Sequence, residues 1–353
     1  PYVRNCTNFM TGSIGMRING DHVDASYSGT NDLGQDLKSM VCDAFTQYNE
    51  AGIGVSITNN GYAQLVSIFT IGCDKGIFCA SGGQCDLTNS NSSFGNFGLV
   101  ADGVGDVEFD GTLSSAATGE SDRVSIKDCQ DFNNPRKYRT PFDGQAAYFH
   151  LDMSQYNDVL PSINGTVTKP LEFIRNVRVT NGGNVGDYAA SSPPLVTASL
   201  PRGPESIIAE FSPNVSADGR ITSIDIIASG RNFLPVNNDA NTRDNSKEQE
   251  CVITISGSGS ATAEVDMDPI LFTVDEATTT PTSGVDQGKT TITFNEFIPY
   301  AIANNTKVEI VRMSRIITSS HSFEYIGAGT NINTANPFQG GKPVPENEVV
   351  AIN

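Results

Sequence analysis

Three short apolar runs, each opened by glycine, recur within one stretch: Gly52-Ile53-Gly54-Val55, Gly76-Ile77-Phe78-Cys79 and Gly98-Leu99-Val100-Ala101. Two longer runs lie between them, Ala63 to Thr70 and Gln84 to Asn91, each entered through a glycine pair or Gly-Tyr. By subtraction of positions, the opening glycines stand 24 and then 22 residues apart. Self-similarity at a period of about 20–50 residues is the signature of stacked repeats. The unit has strand-length runs and turn residues but no helical periodicity, so it predicts the coils of a parallel β-helix. One coil alone cannot bury its apolar side, whereas stacked coils share a continuous core. Antiparallel hairpins with chance similarity are the competing fold.

The residue choice fits such a coil. Glycine reaches the positive φ angles that sharp corners need. Asn59, Asn60, Asn89 and Asn91 suit turns, because their side chains satisfy nearby backbone groups. Strict alternation along the second run places Val66, Ile68 and Thr70 on one face and Leu65, Ser67 and Phe69 on the other.

A chain of 353 residues has room for two or three domains, and this one lacks tryptophan and carries only 18% charged residues. With its abundant glycine, asparagine, serine and threonine, that profile predicts an all-β, turn-rich protein. The net charge of −18 argues against a nucleic-acid partner, since a phosphate backbone needs a cationic footprint. The acidic residues are scattered, which reads as a solvated surface. No apolar run approaches the roughly 20 residues of a membrane span, so no membrane insertion is expected. The chain opens at Pro1, inside what reads as a strand, and this predicts a processed product or part of a longer polypeptide.

Seven cysteines do not pair by spacing. Cys73, Cys79 and Cys85 recur every six residues without a histidine or a CxxC, so neither zinc nor any other metal or cofactor is predicted. Cys42, Cys73, Cys79 and Cys85 read instead as small buried hydrophobes of a protein folded in a reducing cytoplasm.

The expected organisation is a partial right-handed parallel β-helix over 1–110, then small β-sandwich-like or β-barrel-like modules and an extended C-terminal stretch. Residues 111–200 read as a connector with strands at Ala146–Leu151 and Leu171–Thr180. Pro135–Arg139 is its one basic cluster, taken as a boundary feature. Prolines at Pro193, Pro194, Pro201 and Pro204 mark a boundary near residue 200. Residues 201–275 form a compact unit with a hairpin at Asp218-Gly219 and a core side of Ile221, Ile224, Ile226 and Ile227. Gly257-Ser258-Gly259-Ser260 is a turn, because no helix or lysine follows to make a phosphate cradle. Residues 276–353 hold strands at Thr290–Phe294 and Lys307–Arg312 before the extended tail, which is expected to run along a neighbour.

Two readings stand against a purely structural one, an enzymatic one and a non-catalytic carbohydrate-binding one. A polysaccharide-cleaving β-helix needs two or three carboxylates in one groove, and Asp102, Asp106, Glu108 and Asp110 are the candidates. Their glycine-spaced setting reads better as a turn where the coil ends. Hydrolase triads lack support, because His22, His150 and His321 lie far apart and away from any serine or cysteine motif. His22 and Asp24 sit in a polar excursion, Asp21 to Asp36, of the kind that often carries binding in a solenoid. A sugar-binding face would gather exposed aromatics such as Tyr27, Tyr48 or Tyr62. No catalytic, cofactor or metal residue is therefore assigned, and no enzyme activity is expected.

The block Leu37–Gly103, with "TQYNEAGIGVSITNNGYAQLVSIFTI" and "GGQCDLTNSNSSFGNFGLVADG", resembles large virion structural proteins of tailed phages infecting marine cyanobacteria. So do "TITFNEFIPY" at Thr291–Tyr300 and "SSHSFEYIGAGTNINTANPFQGG" at Ser319–Gly341, and the phrase "GRITSIDIIASGRNFLP…CVITISGSGSATAEV" is similar to a small β-module repeated in such proteins. The resemblance implies a virion component of the tail, baseplate or fibre class, assembled in the host cytoplasm. It implies other virion proteins and other copies of the chain as partners, a homotrimer by analogy. Host attachment through a surface glycan is a further role it allows. It also implies a chain that continues past Asn353.

Overall fold

The computed structural model describes residues 2–20, 39–130, 138–152, 168–201, 203–233, 251–318 and 350–352. The protein is all-β, with no helix among the described residues.

Two parallel sheets grow in alternation through the first hundred residues. One contains β1 (Tyr2–Phe9), β3 (Ser39–Tyr48), β5 (Tyr62–Ile71) and β7 (Gln84–Thr88), with β8 (Asn91–Ser93) also on β5. The other contains β2 (Ile14–Asn19), β4 (Ile53–Thr58), β6 (Lys75–Ala80) and β9 (Phe97–Asp102). Ile53 lies opposite Lys75 and Lys75 opposite Phe97, a step of 22 each time, and Tyr62 lies opposite Gln84, again 22. From Ser39 to Tyr62 the step is 23, and from Ile14 to Ile53 it is 39, because residues 21–38 intervene.

The repeat is present as parallel strand register, but its glycine column differs from the one the sequence predicts. Gly52 does not belong to the column. Gly15, Gly54, Gly76 and Gly98 stand opposite one another, and a Cβ on Gly54 would come 2.4 Å from the Gly76 carbonyl and 2.3 Å from the Thr70 methyl. Gly52 precedes the strand and is glycine for another reason: a Cβ there would collide with the Asn49 amide.

The expected alternation also breaks. Ala63, Leu65, Ile68 and Thr70 are all buried, whereas Phe69 is exposed. The cause is Ser67, whose φ of 54° turns the strand and resets which side points inward. Asn5 (54°), Ala44 (55°) and Asn89 (50°) hold the same left-handed conformation at the matching register position of the parallel sheet. Each long strand is thus two straight segments hinged at one residue. Asn59 and Asn60 occupy positive φ at another corner, as expected of turn asparagines, while Asn91 begins a strand.

After β9 the chain leaves the column. β10 (Val104–Leu113), β11 (Ser121–Lys127), β12 (Gln145–Asp152), β20 (Phe272–Ala277), β21 (Thr290–Ile298) and β22 (Lys307–Met313) pair antiparallel in the ring β12-β20-β21-β11-β10-β22, which β22 closes on β12. β13 (Thr168–Lys169) adds to the far end of β12. Phe149, Phe272 and Phe294 fill the ring with centroids 5.6–6.2 Å apart, beside Phe109, Ile292 and Ile310.

Between β12 and β20 the chain makes a separate excursion. β14 (Glu172–Asn181) pairs with β19 (Thr262–Pro269), β15 (Val196–Ala198) with β18 (Ile253–Ile255), and β16 (Glu210–Val215) with β17 (Ile221–Ala228). Two of these ladders run across the boundary expected near residue 200. Gly219 at φ 82° makes the expected hairpin between β16 and β17. Ile221 and Ile224 are core and Ile226 packs against it, but Ile227 is 64% exposed, because it alternates with Ile226.

The chain then returns. β23 (Arg315–Thr318) pairs parallel with β7, placing Arg315 opposite Gln84, and β24 (Val350–Ile352) pairs antiparallel with β9. Most of the tail expected to run along a neighbour lies outside the described residues, as do Pro135–Lys137 of the basic segment.

Candidate functional site

Among the described residues, a five-residue polar cluster lies on the outer face of the antiparallel ring. Alternation sends Phe109, Phe149, Val308 and Ile310 inward, so Asp110, Tyr148, His150, Lys307 and Glu309 face outward from three adjacent strands. Glu309 stands opposite Asp110 on one side and Tyr148 on the other, while His150 stands opposite Lys307. Lys307 Nζ donates to Glu309 at 2.5 Å and lies 3.5 Å from Asp110, and His150 Nε2 is 2.8 Å from Glu309. The Tyr148 and His150 rings stack at 5.6 Å.

Burial opposes ionisation of Glu309, but the hydrogen bonds from Lys307, Tyr148 and His150 override it and bring its pKa down to about 2. The hydrogen bond to Glu309 is in turn what holds Lys307 protonated above its usual range. A carboxylate this acidic is a poor general base near neutral pH, and a lysine held charged is a poor nucleophile. The cluster is an electrostatic clamp across three strands.

The four candidate carboxylates do not converge. Glu108 accepts from the Gln145 amide and pairs with Arg312 at 2.9 Å. Asp110 faces Lys307, and Asp106 is exposed at the start of β10. Asp102 ends β9, where its backbone carbonyl accepts from Ser314 Oγ at 2.7 Å.

Of the aromatic candidates, Tyr27 lies outside the described residues. Tyr48 is 46% exposed beside Phe9. Tyr62 is half-buried and donates to Asp86 at 2.5 Å; burial first and then that bond push its phenol up to about 12. The two described tyrosines sit at opposite ends of the β3–β5 ladder, so the expected common face is not theirs. His22, Asp24 and His321 also lie outside the described residues.

All seven cysteines are free, and Cys42, Cys73, Cys79 and Cys85 are buried as read. Burial raises Cys42 to about 11 and Cys129 to about 12, so these thiols stay protonated and unreactive near neutral pH. Cys79 and Cys85 approach to 3.8 Å inside the column. Among the described residues, no group of three or more His, Cys, Asp or Glu is placed to hold a metal ion. Gly257–Ser260 joins β18 to β19 as a turn, where the Ser260 amide and hydroxyl bind Asp187 Oδ2 at 3.0 and 3.2 Å.

Sequence reasoning missed the clamp. Its signal was present in two period-2 strings, Tyr148-Phe149-His150 and Lys307-Val308-Glu309, but nothing in either string says that the two strands are neighbours.

It also missed the joint between column and ring. The Gln84 amide donates to the Met313 and Gly144 carbonyls at 3.1 Å each, and Arg315 pairs with Asp143 at 2.9 Å. Ser314 bridges both parts: its hydroxyl accepts from the Gly82 amide at 3.1 Å, and its own amide reaches the Gly103 carbonyl at 2.9 Å. Compared with known protein families, curated proteins and solved structures, the chain matches none.

Proposed function

We propose that this chain is a structural protein of a tailed-phage virion, of the tail, baseplate or fibre class, and that it works mechanically rather than catalytically. Residues 1–105 with β23 form, on this reading, a partial right-handed parallel β-helix that acts as a rigid spacer. The ring and the inserted β-module make its contacts with other virion proteins and other copies of itself, a homotrimer by analogy, with host attachment as a further role.

One observation carries the proposal: two parallel sheets hold the same 22-residue step at once. Every backbone ladder then runs along the stacking direction, so bending the column breaks hydrogen bonds in several strands together. Side chains add struts along that direction: Asn89 to Ser67 at 3.2 Å, Asn96 to Asp74 at 2.9 Å and Asn59 to Asn19 at 2.8 Å. The joint at Gln84, Ser314 and Arg315 ties the ring to the column through hydrogen bonds and an ion pair. The resemblance of several sequence phrases to virion proteins of phages infecting cyanobacteria supports this location.

Mass spectrometry of purified particles tests the location: the chain is expected as a stoichiometric component, and its absence refutes the virion reading. Turnover of host polysaccharide, lost in Asp102→Asn or Asp106→Asn, would transfer the protein to the depolymerase class instead.

A further inference from the structure

We propose that the outer face built by the second halves of β1, β3 and β5 together with β8 is where copies of this chain bind one another. This rests on the column reading above and adds the surface through which self-association occurs.

The left-handed residues at Asn5, Ala44, Ser67 and Asn89 define that face, because beyond each of them the strand runs straight with a fresh alternation. Phe45, Gln47, Ile68 and Thr70 point inward and are buried. Their neighbours point outward in two in-register columns. One is Thr7, Thr46, Phe69 and Asn91; the other is Phe9, Tyr48, Ile71 and Ser93. Phe9 is 72% exposed, Tyr48 46% and Phe69 42%, and Phe94, which follows Ser93, is 93% exposed. Phe9 and Tyr48 already stack on each other at 5.9 Å.

Two properties select a copy of the chain as the occupant. The first is charge. The chain carries −18, so two copies repel except where they meet through a neutral surface, and these two columns contain no acidic or basic residue. The second is area and chemistry. At about 200 Å² per ring, the exposed fractions of Phe9, Tyr48, Phe69 and Phe94 amount to about 500 Å² of aromatic surface. That is the scale of a functional patch, and it supplies most of the roughly 800 Å² each partner contributes to a standard interface. A sugar-binding face would need amides or carboxylates placed to meet hydroxyl groups. Here the one amide in the two columns, Asn91, accepts from Ser93 Oγ through its Oδ1, and three of the four rings are phenylalanine, which suits packing against another apolar face.

Sedimentation equilibrium of the full chain reads this directly. The wild-type chain is expected to sediment as an oligomer of its 37.5 kDa mass, and the double variant Tyr48→Asp, Phe69→Asp as a single chain. Phe69→Leu, which keeps the face apolar, is expected to stay oligomeric. Hydrogen exchange on β5 and β7 amides accompanies each measurement. A folded double variant with unchanged mass, or a wild-type monomer with protected β5 and β7 amides, overturns the interface and leaves the column standing. A wild-type monomer that takes up host lipopolysaccharide through these residues overturns it in favour of sugar binding. Loss of protection in the wild-type chain instead defeats the column reading itself.

Discussion

The column and the antiparallel ring solve the same problem, burying an apolar interior without helices, in opposite ways. The ring relies on a few large side chains: Phe149, Phe272 and Phe294 meet at its centre, and each strand is distinct in sequence. The column relies on stacked aliphatic side chains interleaved with small ones. Its interior holds Ile18, Val55, Ile57, Leu65 and Ile77 with Cys42, Ala63, Cys79, Cys85 and Ala101 beside the glycine stack, and successive parallel strands repeat the pattern. A closed ring tolerates local adjustment because its strands differ. A stack with a fixed step does not, since one enlarged residue meets its counterparts in the coils on both sides.

The sharpest break of that comparison is Gly76→Val. Its Cβ would lie 2.5 Å from the Gly98 carbonyl and 2.4 Å from Ser92 Oγ, with no flexible side chain long enough to retreat. We expect a loss of about 4 kcal/mol in urea unfolding, with exchange protection lost across β4, β6 and β9 together. Phe149→Ala opens a cavity in the ring and is expected to cost about 3–4 kcal/mol. Its exchange signature should stay within β10–β12 and β20–β22 and spare β3–β6. Equal loss in both parts after Phe149→Ala would show that the joint at Ser314 fuses them into one cooperative unit.

Two smaller effects sharpen the contrast. Glu309→Gln removes the negative charge shared by Lys307 and His150, for an expected cost of about 2 kcal/mol. Because the folded pKa of Glu309 is depressed from 4.5 to about 2, its contribution is fully present above about 4.5 and lost as pH falls through about 2. The wild-type and Glu309→Gln stability curves should therefore converge on acidification across that window. Tyr62→Phe removes one hydrogen bond to Asp86 on the column and is expected to cost about 1 kcal/mol, read as a shift in urea midpoint.

Legibility follows the same division. In the column, repetition exposed the parallel strands, because a period of about 22 recurs wherever glycine and apolar runs coincide. The glycine register slipped by one pair, since Gly52 and Gly54 look alike in sequence and only their neighbours, Asn49 or Thr70, tell them apart. Strand phase was lost at Ser67, because serine, alanine and asparagine do not announce positive φ in a continuous strand as glycine does. In the ring, individual strands such as Ala146–Leu151 were readable from alternation, but their partners were not. β12 meets β22 across some 160 residues of chain, and no local pattern encodes a contact that distant. The clamp around Glu309 was hidden for that reason alone.

The parallel step is tested most directly by nitroxide pairs at Gln64 with Asp86 and at Phe69 with Asn91, read as dipolar broadening in the full chain. Both pairs are opposite one another in adjacent parallel strands, about 4.8 Å apart along the ladder, so both spectra should broaden. Antiparallel strands can bring at most one of the two pairs together, and broadening in one spectrum but not the other contradicts the column.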